Sequence, residues 1–123
     1  MEGTLASYLL AVYTRPKPGS EAEYHRWYDD FHLDEVLQVP DFVTAQRFAL
    51  IGSEGSQFLG DGSHLAVFSI TSDDIGATMT AFQHARKSMA TPTCLDIDSV
   101  TLSWWRPVGR RAVRSPSADT DAG

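Results

Sequence analysis

Residues 24–48 read YHRWYDDFHLDEVLQVPDFVTAQRF, and the phase of their apolar positions decides the fold. Tyr24, Trp27, Tyr28 and Phe31 recur at i, i+3, i+4 and i+7, which is one face of an α-helix. Leu33, Val36 and Leu37 form a second stripe, out of phase with the first. The helix is therefore predicted to kink or restart over residues 31–34. Pro40 and Asp41 end it, because the residue before a proline avoids the helical region. Residues 42–51 (FVTAQRFALI) then read as a strand. One parity carries Phe42, Thr44, Gln46, Phe48 and Leu50, the other Val43, Ala45, Arg47, Ala49 and Ile51.

Upstream, residues 1–6 form a short leader, and residues 7–14 (SYLLAVYT) are a dense apolar run of strand length. The turn at residues 15–19 ends it, since neither Pro16 nor Pro18 can donate a ladder hydrogen bond. Ser20, three residues before Glu23, has the spacing of a capping box opening the helix. Downstream, the glycine-rich residues 52–62 read as a mobile hairpin loop. Residues 64–71 (HLAVFSIT) form a third strand. Ser72, Asp73 and Asp74 cap a second helix whose apolar face carries Ile75, Met79, Phe82 and Met89, with Ala85 filling a gap. After a loop at 90–95, residues 97–106 (IDSVTLSWWR) are the fourth strand, ended by Pro107.

The order β-α-β-β-α-β predicts an α+β, ferredoxin-like fold: a four-stranded antiparallel sheet with both helices on one face. Residues 1–107 form the single domain, and the small, polar and charged residues 108–123 are expected to be a disordered tail. Strand one is apolar on both parities, with Tyr8, Leu10 and Val12 against Leu9, Ala11 and Tyr13. The sheet's second face therefore needs a cover, and a second copy of the same sheet supplies it. A homodimer is expected; the competing reading is a monomer covered by its own tail, which the tail's low apolar content disfavours.

Sixteen acidic against ten basic residues give a net charge of −6, which argues against a nucleic-acid or anionic-membrane surface. No apolar run approaches the roughly 18 residues of a membrane span. No basic region precedes a long apolar run, so no secretory signal is expected and a cytoplasmic location is the default. Cys94 is the only cysteine, which excludes an internal disulfide. It has no base beside it in sequence to make it a nucleophile.

The motif Trp27-Tyr28-x-x-x-His32-Leu33, followed by Val36-Leu37-x-Val39-Pro40-x-Phe42-Val43-x-Ala45-x-Arg47-Phe48, resembles the dimeric α/β-barrel proteins of the EthD-like type. The strand His64-Leu65-Ala66-Val67-Phe68 fits the same pattern, and the likeness spans about residues 8–107. The chain departs from the usual Pro-Gly-Phe turn with Pro40-Asp41-Phe42, a substitution Asp can accommodate in a left-handed conformation. The resemblance implies the dimer and a cavity between helices and sheet, with His32 at its mouth. It fits several activities, among them cyclases, isomerases and cofactor-free monooxygenases.

His32 is the first candidate for catalysis. It lies four residues after Tyr28 and three after Asp29, so a phenol and a carboxylate are in reach of an imidazole that titrates near neutrality. The competing role is structural, at the joint of the broken helix. Tyr28 is the second catalytic candidate, as a donor to a substrate oxygen. Tyr24, Arg47, His64 and Trp105 are candidate substrate-binding residues; packing for Tyr24 and Trp105, an acidic partner for Arg47 and simple exposure for His64 are the alternatives. His25 and His84 are expected to face solvent. Neither H-E-x-x-H nor a glycine-rich phosphate loop occurs, so no metal and no cofactor is indicated. The reading is a small cofactor-independent enzyme performing acid–base chemistry (cyclisation, isomerisation or dehydration) on an apolar polyketide-like or aromatic carbonyl compound. The alternatives are a non-catalytic dimeric binding or accessory protein and, among enzymes, a cofactor-free monooxygenase.

Overall fold

The computed structural model describes residues 4–55 and 64–116. Four strands, β1 (Ala6–Thr14), β2 (Phe42–Ala49), β3 (His64–Ser72) and β4 (Thr101–Trp105), form one antiparallel sheet in the order β2-β3-β1-β4. Between β1 and β2 run α1 (Glu21–Trp27), a π turn (Tyr28–His32) and the single turn α2 (Leu33–Val36). Between β3 and β4 runs α3 (Ile75–Arg86). This is the ferredoxin-like order expected from the sequence. Much of the predicted mobile loop at 52–62, and the tail beyond residue 116, lie outside the described residues. No helix among the described residues is long and apolar enough to cross a membrane.

The register shows why one face of the sheet takes both helices. Leu10 pairs with Phe68 and Val12 with Ala66, and all four side chains are buried with Ile70 under Tyr24, Tyr28, Val36 and Phe82 from the helices. Leu10 and Tyr24 are fully buried, and each such side chain contributes about 1.5–3 kcal/mol of transfer free energy. The opposite parity carries Leu9, Tyr13, Leu65, Phe48 and Trp105 in the paired strands. Leu9, Phe48 and Trp105 are about half exposed, so this second apolar face has no cover among the described residues.

Several local expectations are corrected. Ser20 makes no side-chain cap; Glu21 instead turns back to accept from the N–H of Gly19. Phe31 leaves the aromatic stripe and is exposed, because the π turn bulges it outward. Strand β2 ends at Ala49, two residues before Ile51. Ile97–Ser99 is a 3₁₀ turn capped by Asp96, so β4 starts only at Thr101. Asp74 caps α3 as read, accepting from the N–H of Ala77 at 3.1 Å. Asp41 is left-handed (φ 78°), and its carboxylate accepts from Thr78 Oγ1 at 2.6 Å, tying the turn before β2 to α3.

Candidate functional site

The site begins with the phase break. The N–H of Leu33 donates to the carbonyl of Tyr28, five residues back, so the helix carries one extra residue at this point. In a continuous α-helix, positions five apart stand about 140° from each other. Here the extra residue brings His32 directly over Trp27, ring stacked on ring at 4.3 Å and 17°. The Tyr28 ring meets His32 edge-on at 5.2 Å. His32 thus points under the helix, toward the sheet, while Asp29, Asp30 and Phe31 face outward.

His32 Nδ1 lies 2.9 Å from Glu35 Oε1. A carboxylate only accepts, so Nδ1 carries the proton, leaving Nε2 with its lone pair as the polar atom His32 can offer a ligand. Burial holds the imidazole below its usual value, and the Glu35 carboxylate works against that effect. The ring is therefore neutral at pH 7, a base with its tautomer fixed. The expected carboxylate partner was Asp29; the partner is Glu35, and Asp29 is engaged elsewhere.

His32 and Tyr28 share a cavity of about 140 Å³ between the helices and the sheet. Its walls are mostly apolar (Val12, Trp27, Val36, Phe68, Phe82, Leu95 and Leu102 among them), with Thr14 on the floor and Arg86, Met89 and Thr91 at the end of α3 and in the loop after it. Tyr24 and Thr14 share a buried hydroxyl–hydroxyl hydrogen bond. Burial raises the Tyr28 phenol well above its ordinary value, with Tyr24 adding to this and Arg47 opposing it. Tyr28 therefore keeps its proton at neutral pH and can act as a donor.

Arg47 occupies the other side of Tyr28. Its guanidinium sits 4.6 Å from the Tyr28 ring centre and 5.3 Å from that of Tyr24. Nη1 donates to Asp29 at 2.8 Å, and Nη2 lies 2.9 Å from His25 Nδ1. Nε is buried with no hydrogen-bond partner. The Asp29 side chain is 56% exposed, so that ion pair is worth about 0–1 kcal/mol, whereas a cation desolvated over aromatic rings gains up to about 2 kcal/mol. The tyrosine faces hold Arg47 in place more than the acid does. His64 and His25 complete this cluster with their rings 4.8 Å apart, and burial, Arg47 and His25 all lower the His64 value.

Of the candidates, His32 and Tyr28 come together on one cavity. Tyr24, Arg47 and His64 form a neighbouring cluster behind Tyr28, outside the cavity wall. Trp105 is on the opposite face of the sheet and 56% exposed, its indole N–H bonded to Ser103 Oγ at 2.8 Å, so it reaches neither group. Its neighbour Trp104 packs inward against Phe42 and Phe82. His25, expected in solvent, is bound to Arg47. Glu35 and Arg86 were not anticipated: the i, i+3 spacing from His32 could have found Glu35, whereas no local pattern marks Arg86. Cys94 is buried, and burial raises its thiol. Among the described residues, no group of three or more His, Cys, Asp or Glu side chains could hold a metal ion.

Neither a protein-family model nor a curated protein sequence matches the chain. Solved structures do. A provisionally named monooxygenase from Shewanella loihica PV-4 aligns with TM-score 0.56 at 19% identity, over 88% of this chain and 100% of that one. An ethyl tert-butyl ether degradation (EthD) family protein from Bacillus halodurans C-125 aligns with TM-score 0.50 at 14% identity, over 82% and 99%. A Bacillus cereus protein provisionally named as an antibiotic biosynthesis monooxygenase aligns with TM-score 0.50 at 10% identity, over 88% and 99%. The chain therefore shares the ferredoxin-like fold of these structures, an EthD family protein among them, over nearly their whole length.

Proposed function

We propose that the chain is a small enzyme that abstracts and returns a proton on an apolar carbonyl compound, with cyclisation, isomerisation or dehydration as the net reaction. One observation carries this: the Glu35-supported His32 base faces the same cavity as the protonated Tyr28 phenol. His32 Nε2 takes a proton from carbon next to the substrate carbonyl. Glu35 stabilises the imidazolium that forms. Tyr28 donates to the oxygen on which charge develops. Stacking on Trp27 keeps the imidazole aimed into the cavity. Arg47 acts behind Tyr28 as a positioning residue, packed on the rear of its ring.

Two structural neighbours are named as monooxygenases, which supports a second reading for the same first step. There the substrate anion would react with dioxygen as co-substrate. The uncovered apolar face supports the homodimer, two sheets meeting through Leu9, Phe48 and Trp105.

The test is exchange of α-hydrogens of aryl ketones in D2O, followed by proton NMR. The wild-type chain accelerates exchange, and His32→Gln removes the acceleration by 10²-fold or more, a typical contribution of a positioned base. Dioxygen uptake in the same samples separates the two enzymatic readings. If ketones bind while wild type and His32→Gln exchange them at the same rate, the protein is a binding or accessory module.

A further inference from the structure

We propose that the ligand of this cavity carries a carboxylate, and that Arg86 at the cavity end recognises it. The inference rests on the cavity being the functional site, and it names the substrate class that the site selects.

Arg86 is the only formally charged side chain on the cavity wall among the described residues; His32 is neutral there, and the rest is apolar or hydroxylic. Its own contacts are weak. Nη1 donates to Gln83 Oε1 at 3.2 Å, and the guanidinium stands 5.8 Å from the Phe82 ring centre. Arg86 belongs to neither of the arginine–carboxylate pairs Arg15–Asp96 and Arg47–Asp29. An arginine packed on a cavity wall with one neutral partner keeps most of its donors for a ligand, and the fork geometry suits a carboxylate. A single guanidinium balances one negative charge, which favours a carboxylate over a phosphate dianion.

Size agrees. A cavity of about 140 Å³ is close to the roughly 150 Å³ that holds a single benzene ring. With Arg86 anchoring the carboxylate at one end, the apolar body lies along Phe82 and Phe68, and the far end reaches His32 and Tyr28. The chain as a whole carries −6, so its overall field repels anions, and any preference for one must come from a local cation.

The experiment is a titration of the full chain with benzoate and with its neutral isostere benzamide, followed by amide NMR shifts. Wild type binds benzoate about tenfold more tightly than benzamide, the gain of one charge-assisted pair. Arg86→Gln brings benzoate to the benzamide level and leaves benzamide unchanged; Arg86→Lys keeps part of the preference. Arg86 is exposed, so both variants retain the wild-type spectrum. Equal affinities in wild type, a preference that survives Arg86→Gln, or no binding of either compound overturns the proposal. His32→Gln keeps the benzoate preference, so the two readings fail separately. Loss of ketone exchange with the preference intact removes only the acid–base function; exchange without the preference removes only the carboxylate.

Discussion

Deleting Asp30 gives the sharpest test of how the site is built. Asp30 is exposed and sits within the π turn, between Tyr28 and His32. In a regular α-helix, removing one residue rotates everything beyond it by about 100°. That rotation would pull Val36, 2% exposed, out of the core together with Leu33 and Leu37. One buried valine and two half-buried leucines are worth about 4 kcal/mol or more, a large part of the 5–15 kcal/mol that holds a small domain. In the π turn the deletion acts differently. Leu33 becomes the fourth residue after Tyr28, and the five-residue hydrogen bond becomes an ordinary α bond. His32 becomes the fourth after Trp27, still on the same face. The stability should therefore change by no more than about 1 kcal/mol. Urea unfolding followed by tryptophan fluorescence measures it, and the ring-current shift of His32 reports whether the stack on Trp27 persists. The control is deletion of exposed Thr80 from α3, a regular helix, which swings Phe82 off the core and costs about 3 kcal/mol or more. A loss above about 3 kcal/mol for the Asp30 deletion refutes the idea that the turn absorbs one extra residue in register.

Four further outcomes are expected. Glu35→Gln removes the carboxylate that raises the His32 value and leaves the burial that lowers it, so the NMR titration of His32 moves to lower pH; an unmoved midpoint would show that the pair is not coupled. Because burial already holds His32 and His64 below their unfolded value of about 6.5, the unfolded chain binds more protons, and stability falls as pH drops from about 6.5 through the folded values; urea midpoints between pH 7.5 and 5 check the sign. Leu9→Glu puts a charge on the exposed apolar sheet face and converts the proposed dimer to monomer in sedimentation, while a wild-type chain that is monomeric at micromolar concentration would end the two-sheet arrangement. Asp41→Gly relieves a left-handed residue but removes the carboxylate that accepts from the buried Thr78 hydroxyl at 2.6 Å, leaving it the longer 3.3 Å bond to the Asp74 carbonyl, and the loss outweighs the gain by about 1 kcal/mol in thermal or urea unfolding.

The fold was legible because its signals are local and periodic. Alternating strands, the Asp74 cap and the Pro40 stop each act over a few residues, and together they admit few topologies. The joint at residues 31–34 was legible too, since two stripes out of phase demand an irregularity between them. What periodicity could not supply was the kind of irregularity. A kink and a π turn leave the same break in phase, and only the inserted residue explains why Phe31 leaves the stripe while His32 enters it. The capping box failed for a related reason: Ser20 and Glu23 have the right spacing, but Gly19 takes Glu21 instead.

The site divides along the same line. His32 and Tyr28 lie on one element, and their meeting follows from spacing. An acidic partner for Arg47 was expected on charge alone, and Asp29 is that partner. The two tyrosine faces that hold Arg47 come from across the helix–sheet layer, and so does the reason it cannot reach the cavity: Tyr28 stands between. Arg86 shows the limit most clearly. On α3 it looks like a dipole-favoured cation in a last turn, an ordinary surface residue. It acquires a different meaning only because the chain returns after Pro92 to close a cavity beneath it. A lone charge on an apolar wall is a tertiary property, so no reading of α3 in isolation could assign it a ligand.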